Sequence, residues 1–198
     1  MIRLGAVATG FMLAAGLPAS AFELKDCWQT KDSDLEIAAC SHFIASNTLN
    51  PDQLAKAHTG RGVGYARTGR FEQAIADHTK AIELAPSYPL PLVNRGSAFS
   101  ASGDFVRAIS DFDRALGLDP DSVGALNNRA WARLKLGEPA KGLPDAERAI
   151  QLKPDIAALH DTRGAILEAL AHRDEAIAAF KRALEIDPEL ASAREGLA

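Results

Sequence analysis

The sequence predicts an all-α solenoid of antiparallel helix pairs, and three observations carry that prediction. The segments A-I-E-L-A-P, A-L-G-L-D-P, A-I-Q-L-K-P and A-L-E-I-D-P end at Pro86, Pro120, Pro154 and Pro188, each 34 residues after the last. Small residues recur in register with those prolines: Ala81, Ala115, Ala149 and Ala183; Gly62, Gly96, Ala130 and Gly164; Gly69, Gly103, Gly137 and Ala171. Within each period the bulky apolar residues, such as Tyr65, Phe71, Ile75 and Ile82, fall at the three-to-four spacing of an amphipathic helix. One such helix pair cannot bury its apolar surface alone, so successive copies must stack.

Taken from the N-terminus, residues 1–21 have the three parts of a secretory signal. Arg3 is a short basic start, Leu4 to Leu17 form an apolar run, and Ala19-Ser20-Ala21 is a small-residue site for cleavage before Phe22. The run is too short to span a membrane, since an α-helix rises only ~1.5 Å per residue. No other stretch of the chain approaches membrane-spanning length. The sequence therefore predicts a periplasmic or secreted protein whose mature chain does not insert into a membrane. The net charge of −4 becomes one unit more negative when Arg3 is removed, and the signs are interspersed. Neither fact favours nucleic acid as a partner.

Residues 22–54 read as a degenerate half-repeat that caps the stack. The apolar spacing of E36-I-A-A-C-S-H-F-I44 matches that of A74-I-A-D-H-T-K-A-I82, and Ser33 with Glu36 forms a plausible capping box. Asn50-Pro51 opens the next helix, with proline in a tolerated first-turn position. Four repeats follow at residues 55–88, 89–122, 123–156 and 157–190. In the first, one helix runs from about Ala55 to Thr68, the chain breaks at Gly69, and a second helix runs from Phe71 to Leu84. Gly62 against Ala74 and Ala81 is expected to let the two helices approach. Pro144 falls inside the second helix of copy three, where it is expected to remove a hydrogen bond and bend the helix, opening the superhelix. Residues 191–198 form a short polar-faced helix over the last repeat.

The pattern Leu92-x2-Arg95-Gly96-x2-Phe99, followed by Ala108-x3-Phe112, Ala115 and Pro120, resembles the tetratricopeptide repeat. The resemblance covers residues 55–190 and implies a right-handed α-solenoid whose first helices line a concave groove. Copies depart from the pattern at His58 and His160, where the family often has tryptophan, and at Arg133 and Ala146 in aromatic columns. Groove positions implied by the resemblance include Val63, Arg67, Val93, Ser97 and Lys135, with Asn94, Asn127, Asn128 and Trp131 as partner contacts. The amide of asparagine both donates and accepts, and tryptophan is a natural anchor. On the bland reading the asparagines are tolerated polar residues and Trp131 is core. The family's clamp for C-terminal carboxylates needs basic residues where this chain has Thr59, Gly124 and Asn128, so that mode of binding is not supported.

One column departs from the family's usual leucine: Arg61, Arg95, Arg129 and Arg163. Asp77, Asp111 and Asp145 stand sixteen residues after the first three, whereas copy four has Ala179. Either the arginines ion-pair with those aspartates across each helix pair, or they are solvated and pack only their stems.

Catalytic patterns are missing. The five histidines lack the H-E-x-x-H spacing, and no nucleophile elbow, phosphate loop or dinucleotide glycine pattern occurs. Cys27, Cys40 and His42 are one strong donor short of a structural metal site. No catalytic residue, metal or cofactor is assigned. The expected function is a non-catalytic interaction module in the cell envelope that binds a peptide or helix of another protein. The alternatives are a self-associating structural element or an accessory subunit of an envelope enzyme. In an oxidising compartment the only two cysteines, Cys27 and Cys40, are expected to form a disulfide. A redox pair would more often be C-x-x-C. Closing so short a loop contributes about 3 kcal/mol.

Overall fold

The structure is a computed structural model and describes residues 22–28 and 31–198. The expected signal sequence lies outside the described residues. A 3-10 helix at Leu24–Cys27 precedes α1 (Ser33–Ser46), α2 (Pro51–Arg67), α3 (Phe71–Leu84), α4 (Leu90–Ala101) and α5 (Phe105–Leu118). There follow α6 (Val123–Lys135), α7 (Pro139–Leu152), α8 (Ala157–Ala169), α9 (Arg173–Ile186) and the short α10 (Ala191–Glu195). Each helix packs mainly on the next in sequence, and α2, α4, α6 and α8 also touch one another in turn. They form an inner row, with α3, α5, α7 and α9 outside, which is the stacked helix-pair array the 34-residue period predicts. None of the described helices is long and apolar enough to cross a membrane.

Helix boundaries follow from local chemistry. Asn50 caps α2 with its side chain on the Gln53 amide while Gln53 reaches back, and Pro51 occupies the first turn. This is the start at Asn50-Pro51 that the sequence predicts, four residues ahead of Ala55 at the head of the first repeat. At α1 the cap is Asp32, which accepts from the Asp34 and Leu35 amides at 3.0 and 3.1 Å, rather than Ser33. A carboxylate one residue upstream is the better acceptor for the helix's unpaired amides. The chain turns within each repeat through a left-handed residue, with φ of 75°, 85° and 82° at Gly69, Gly103 and Gly137. Ala171 takes the same conformation in copy four, φ 62°.

Inside each pair the conserved-size contact is a ring on a glycine rather than Gly62 on alanine. A Cβ at Gly62, Gly96 or Gly164 would lie 2.6 Å from the ring of His78, Phe112 or Phe180. Only a residue without a side chain admits a ring at that depth. Copy three inverts the sizes: Ala130 replaces the glycine and Ala146 replaces the ring, both fully buried. The gap closes from the other side, because a Cβ on Gly142 would lie 2.8 Å from the Ala130 carbonyl. That close approach holds α6 and α7 together, and α7 runs unbroken from Pro139 to Leu152 with Pro144 inside it.

His78 is the anomaly in the ring column. It is 0 % exposed, and neither ring nitrogen has a hydrogen-bond partner. Burial lowers its pKa from 6.5 to about 4, with Asp77 opposing and Arg95 assisting. The unfolded chain therefore binds a proton between those two values that the folded chain refuses. Stability contributed by neutral His78 is complete above pH 6.5 and declines as pH falls towards 4. Replacing His78→Phe restores the ring of the second repeat without orphaned polar atoms. Denaturant unfolding is expected to show a gain of about 1–3 kcal/mol at neutral pH. The same titration should be flatter between pH 6.5 and 4 than in the wild type.

Candidate functional site

The inner row presents a groove whose walls are set by the arginine column. Arg95 Nε and Nη2 donate to Asp111 Oδ2 and Oδ1, both at 2.7 Å, and its Nη1 donates to Thr79 Oγ1 at 2.9 Å. One side chain on α4 is thereby fixed to α5 of its own repeat and to α3 of the repeat before. Arg61 repeats the arrangement with Asp77 at 2.7 and 2.8 Å and with Ser41 at 3.3 Å. Arg129 holds Asp145 at 2.7 Å twice and Asp113 at 2.6 Å. Arg163 faces Ala179 where the other repeats have their aspartate, and lies only loosely near Glu147 and Glu175, at 3.9 and 3.7 Å.

These pairs are largely removed from water; the Arg95 and Asp111 side chains are 15 % and 5 % exposed. Burial alone would raise the Asp77 pKa, but its hydrogen bonds from Arg61 and His58 outweigh burial and hold it below the ordinary carboxylate range. His58 Nδ1 lies 2.9 Å from Asp77 Oδ1, so this histidine is part of the ladder rather than a ligand. His160 Nε2 lies 2.8 Å from the Pro154 carbonyl. In copy three Arg133, in an aromatic column, joins the same network through the Lys141 carbonyl at 2.7 Å and Asp145 at 3.1 Å.

Between α2 and α4 the groove deepens into a cavity of about 340 Å³. Val63, Ala66, Arg67, Asn94, Ser97 and Ala101 line it, with Phe71 and His78 at its base. Arg67 Nη1 is held by Glu36 Oε2 of α1 at 3.1 Å, and burial raises the Glu36 pKa against the opposing pull of Arg67. The next depression, about 200 Å³, is lined by Ser97, Ser100, Asn128 and Trp131. Ser97 is shared, so the two form one continuous inner face from α2 to α6.

Three of the four residues assigned as partner contacts thus line this face. Trp131 is 37 % exposed, with Lys135 Nζ 4.4 Å from its ring centroid. Asn128 donates to Ser97 Oγ at 3.0 Å, leaving its carbonyl side for another group. Asn94 makes no side-chain hydrogen bond among those described, whereas Asn127 is half-buried and lines neither of these two depressions, with its Oδ1 enclosed and unpartnered. Val93 packs into the core instead of the groove. Ala66, Ser100 and Ala101 were not singled out by sequence; they fall on the same helical face as the residues that were, one turn further along. A larger depression, about 690 Å³, lies at the turn edge between α3 and α5 around Gly103, Val106 and Leu136. Among the described residues no three metal-ligating side chains gather.

Cys27 and Cys40 are joined in a disulfide with Cα atoms 4.7 Å apart. Both are fully buried, together with Ala57 of α2.

Stacked helix pairs with an inner groove define a helical-repeat binding protein. Tetratricopeptide-repeat profiles match residues 55–88, 93–157 and 157–190, and the chain belongs to that family. Such arrays are protein- and peptide-binding scaffolds, typically non-catalytic, and this chain carries one. No curated protein matches the sequence. Among solved structures it is similar to MamA from Desulfovibrio magneticus RS-1, at 25% identity and TM-score 0.65, covering 72% of this chain and 81% of that one. The first repeat domain of Spaghetti (RPAP3), bound to an HSP90 peptide, is 29% identical with TM-score 0.59, covering 61% of this chain and 95% of that one. YrrB, described as having an unusual peptide-binding site, shares the fold at 23% identity and TM-score 0.65, covering 80% of each chain.

The ladder makes a graded prediction. Arg95→Met leaves the buried Asp111 with only the long contact to Arg114 Nη1 at 3.8 Å and is expected to cost about 3 kcal/mol in denaturant unfolding. Arg163→Met removes only long, exposed pairs and is expected to cost no more than about 1 kcal/mol.

Proposed function

We propose that this protein is an exported, non-catalytic scaffold that holds a peptide or helix of another cell-envelope protein in its inner groove. The observation that carries the reading is the continuous face from Val63 and Arg67 through Asn94 and Ser97 to Asn128 and Trp131. It combines an apolar floor, amides able to pair with a peptide backbone, and an exposed aromatic anchor. The Spaghetti repeat domain is bound to an HSP90 peptide, which supports peptide binding by an array of this kind. Export is supported by the n-region, apolar run and small-residue site of residues 1–21. A fully buried disulfide in a chain without other cysteines is in keeping with an oxidising compartment.

Two measurements test the reading. Produced with its native N-terminus in a Gram-negative host, the protein recovered from the periplasm is expected to begin at Phe22 and to carry no free thiol; an uncleaved chain retained in the cytoplasm would contradict export. In affinity capture from envelope extracts of the source organism, Trp131→Ala combined with Asn94→Ala is expected to weaken a specific partner by tenfold or more, on the order of a hot-spot loss. Val106→Ala, on the turn edge, should retain it. Equal capture by both variants removes the groove from the account.

A further inference from the structure

We infer that the Cys27–Cys40 disulfide licenses the groove: its formation seats the N-terminal segment on α2 and thereby completes the wall that the first repeat contributes. This inference rests on the groove reading above and concerns the regulation of that same face.

The cap is a repeat in which a covalent bond replaces packing. Arg61 reaches Ser41 on α1 as Arg95 reaches Thr79 on α3. Aligning Ser41 with Thr79 places Cys40 level with His78, in the ring column. Among the described residues, the glycine that faces the ring in three of the repeats has no counterpart here, because no full inner helix lies beside α1. The 3-10 helix Leu24–Cys27 stands in its place, and the disulfide spans the position where a ring would meet a glycine.

α2 is shaped to receive this segment. A Cβ on Gly60 would fall on the Cys27 carbonyl oxygen and lie 3.1 Å from Cys40 Sγ. Gly60 occupies the column in which α4 and α6 carry the groove residues Asn94 and Asn128. The same helix holds Gly62, against His78, and Gly64, where a Cβ would meet Ile37 of α1 at 2.7 Å. Three glycines in a helix interior weaken it on its own account, so α2 depends on what covers it. α2 is also the helix that supplies Val63, Ala66 and Arg67 to the groove.

A four-residue 3-10 helix has little hold of its own. Besides the disulfide, Phe22 anchors it by packing against Ala38 and Ala39 of α1. A competing peptide does not displace a segment that is covalently tied through a fully buried cysteine, so the contact completes the groove and does not inhibit it. The reduced chain loses the tie. Closure then needs a disulfide-bearing thiol oxidant: one cysteine thiolate attacks it to give a mixed disulfide, and the second displaces the oxidant as a dithiol. Two electrons pass to the oxidant, and the two cysteines give up their protons.

Hydrogen exchange by mass spectrometry on the full mature chain tests the coupling, with oxidised protein compared with phosphine-reduced protein and with Cys27→Ser/Cys40→Ser. Amides of residues 57–66 are expected to exchange about tenfold faster or more in both reduced forms, while those of α6 to α9 stay unchanged. Unchanged protection in α2 overturns the inference. So does uniform acceleration along the chain, since the disulfide would then be a staple for the whole fold. Partner capture separates this from the groove reading. Retention of the partner by reduced protein with an exposed α2 refutes licensing, whereas retention by the Trp131→Ala and Asn94→Ala variant refutes the groove.

Discussion

One side chain in each of the first three repeats, a half-buried arginine on the inner helix, bonds to two neighbouring helices at once. Its Nε and Nη2 take the fork of an aspartate on the outer helix of the same repeat, and its Nη1 takes a hydroxyl or carboxylate on the outer helix before it. A guanidinium is planar and its donors are fixed in direction, so this set of bonds allows one angle between helix pairs. An apolar residue in the same place stabilises by area alone and sets no direction. Removing two charges from water is costly, which makes orientation, more than net stability, the physical role of the column.

The groove inherits that orientation. Its lining residues stand one or two positions from the arginines on the same helices: Val63 beside Arg61, Asn94 and Ser97 around Arg95, Asn128 and Trp131 around Arg129. Any rotation of α4 against α3 would move Asn94 and Ser97 relative to Arg67. Copy four, with Ala179 in place of an aspartate, lacks the bidentate bond. The two depressions that make up the proposed site lie within copies one to three, where the ladder is complete.

Much of this was legible in the sequence because stacking imposes an invariant period. A 34-residue step that repeats four times fixes helix order, turn positions and the column in which arginine meets aspartate. Details set by pairwise contact were not legible. Gly62 packs against a ring rather than an alanine, and the swap of Ala130, Ala146 and Gly142 in copy three reads as irregularity until both helices are seen together. Asn127 and Asn128 are adjacent in sequence, yet Asn128 lines the second depression while the Asn127 Oδ1 is enclosed, since neighbouring helix positions point about 100° apart. The cap was the hardest to read, because α1 matches the outer helices with a step longer than 34 and its inner partner is a 3-10 turn.

The central claim is that the arginine column acts through paired, directional bonds and not through the bulk of its stems. A double-mutant cycle on Arg95→Met and Asp111→Leu, read by denaturant unfolding at neutral pH, tests it most directly. The account predicts that the two substitutions together cost less than the sum of the singles by about 1–3 kcal/mol. Additive effects, with a coupling indistinguishable from zero, would contradict it.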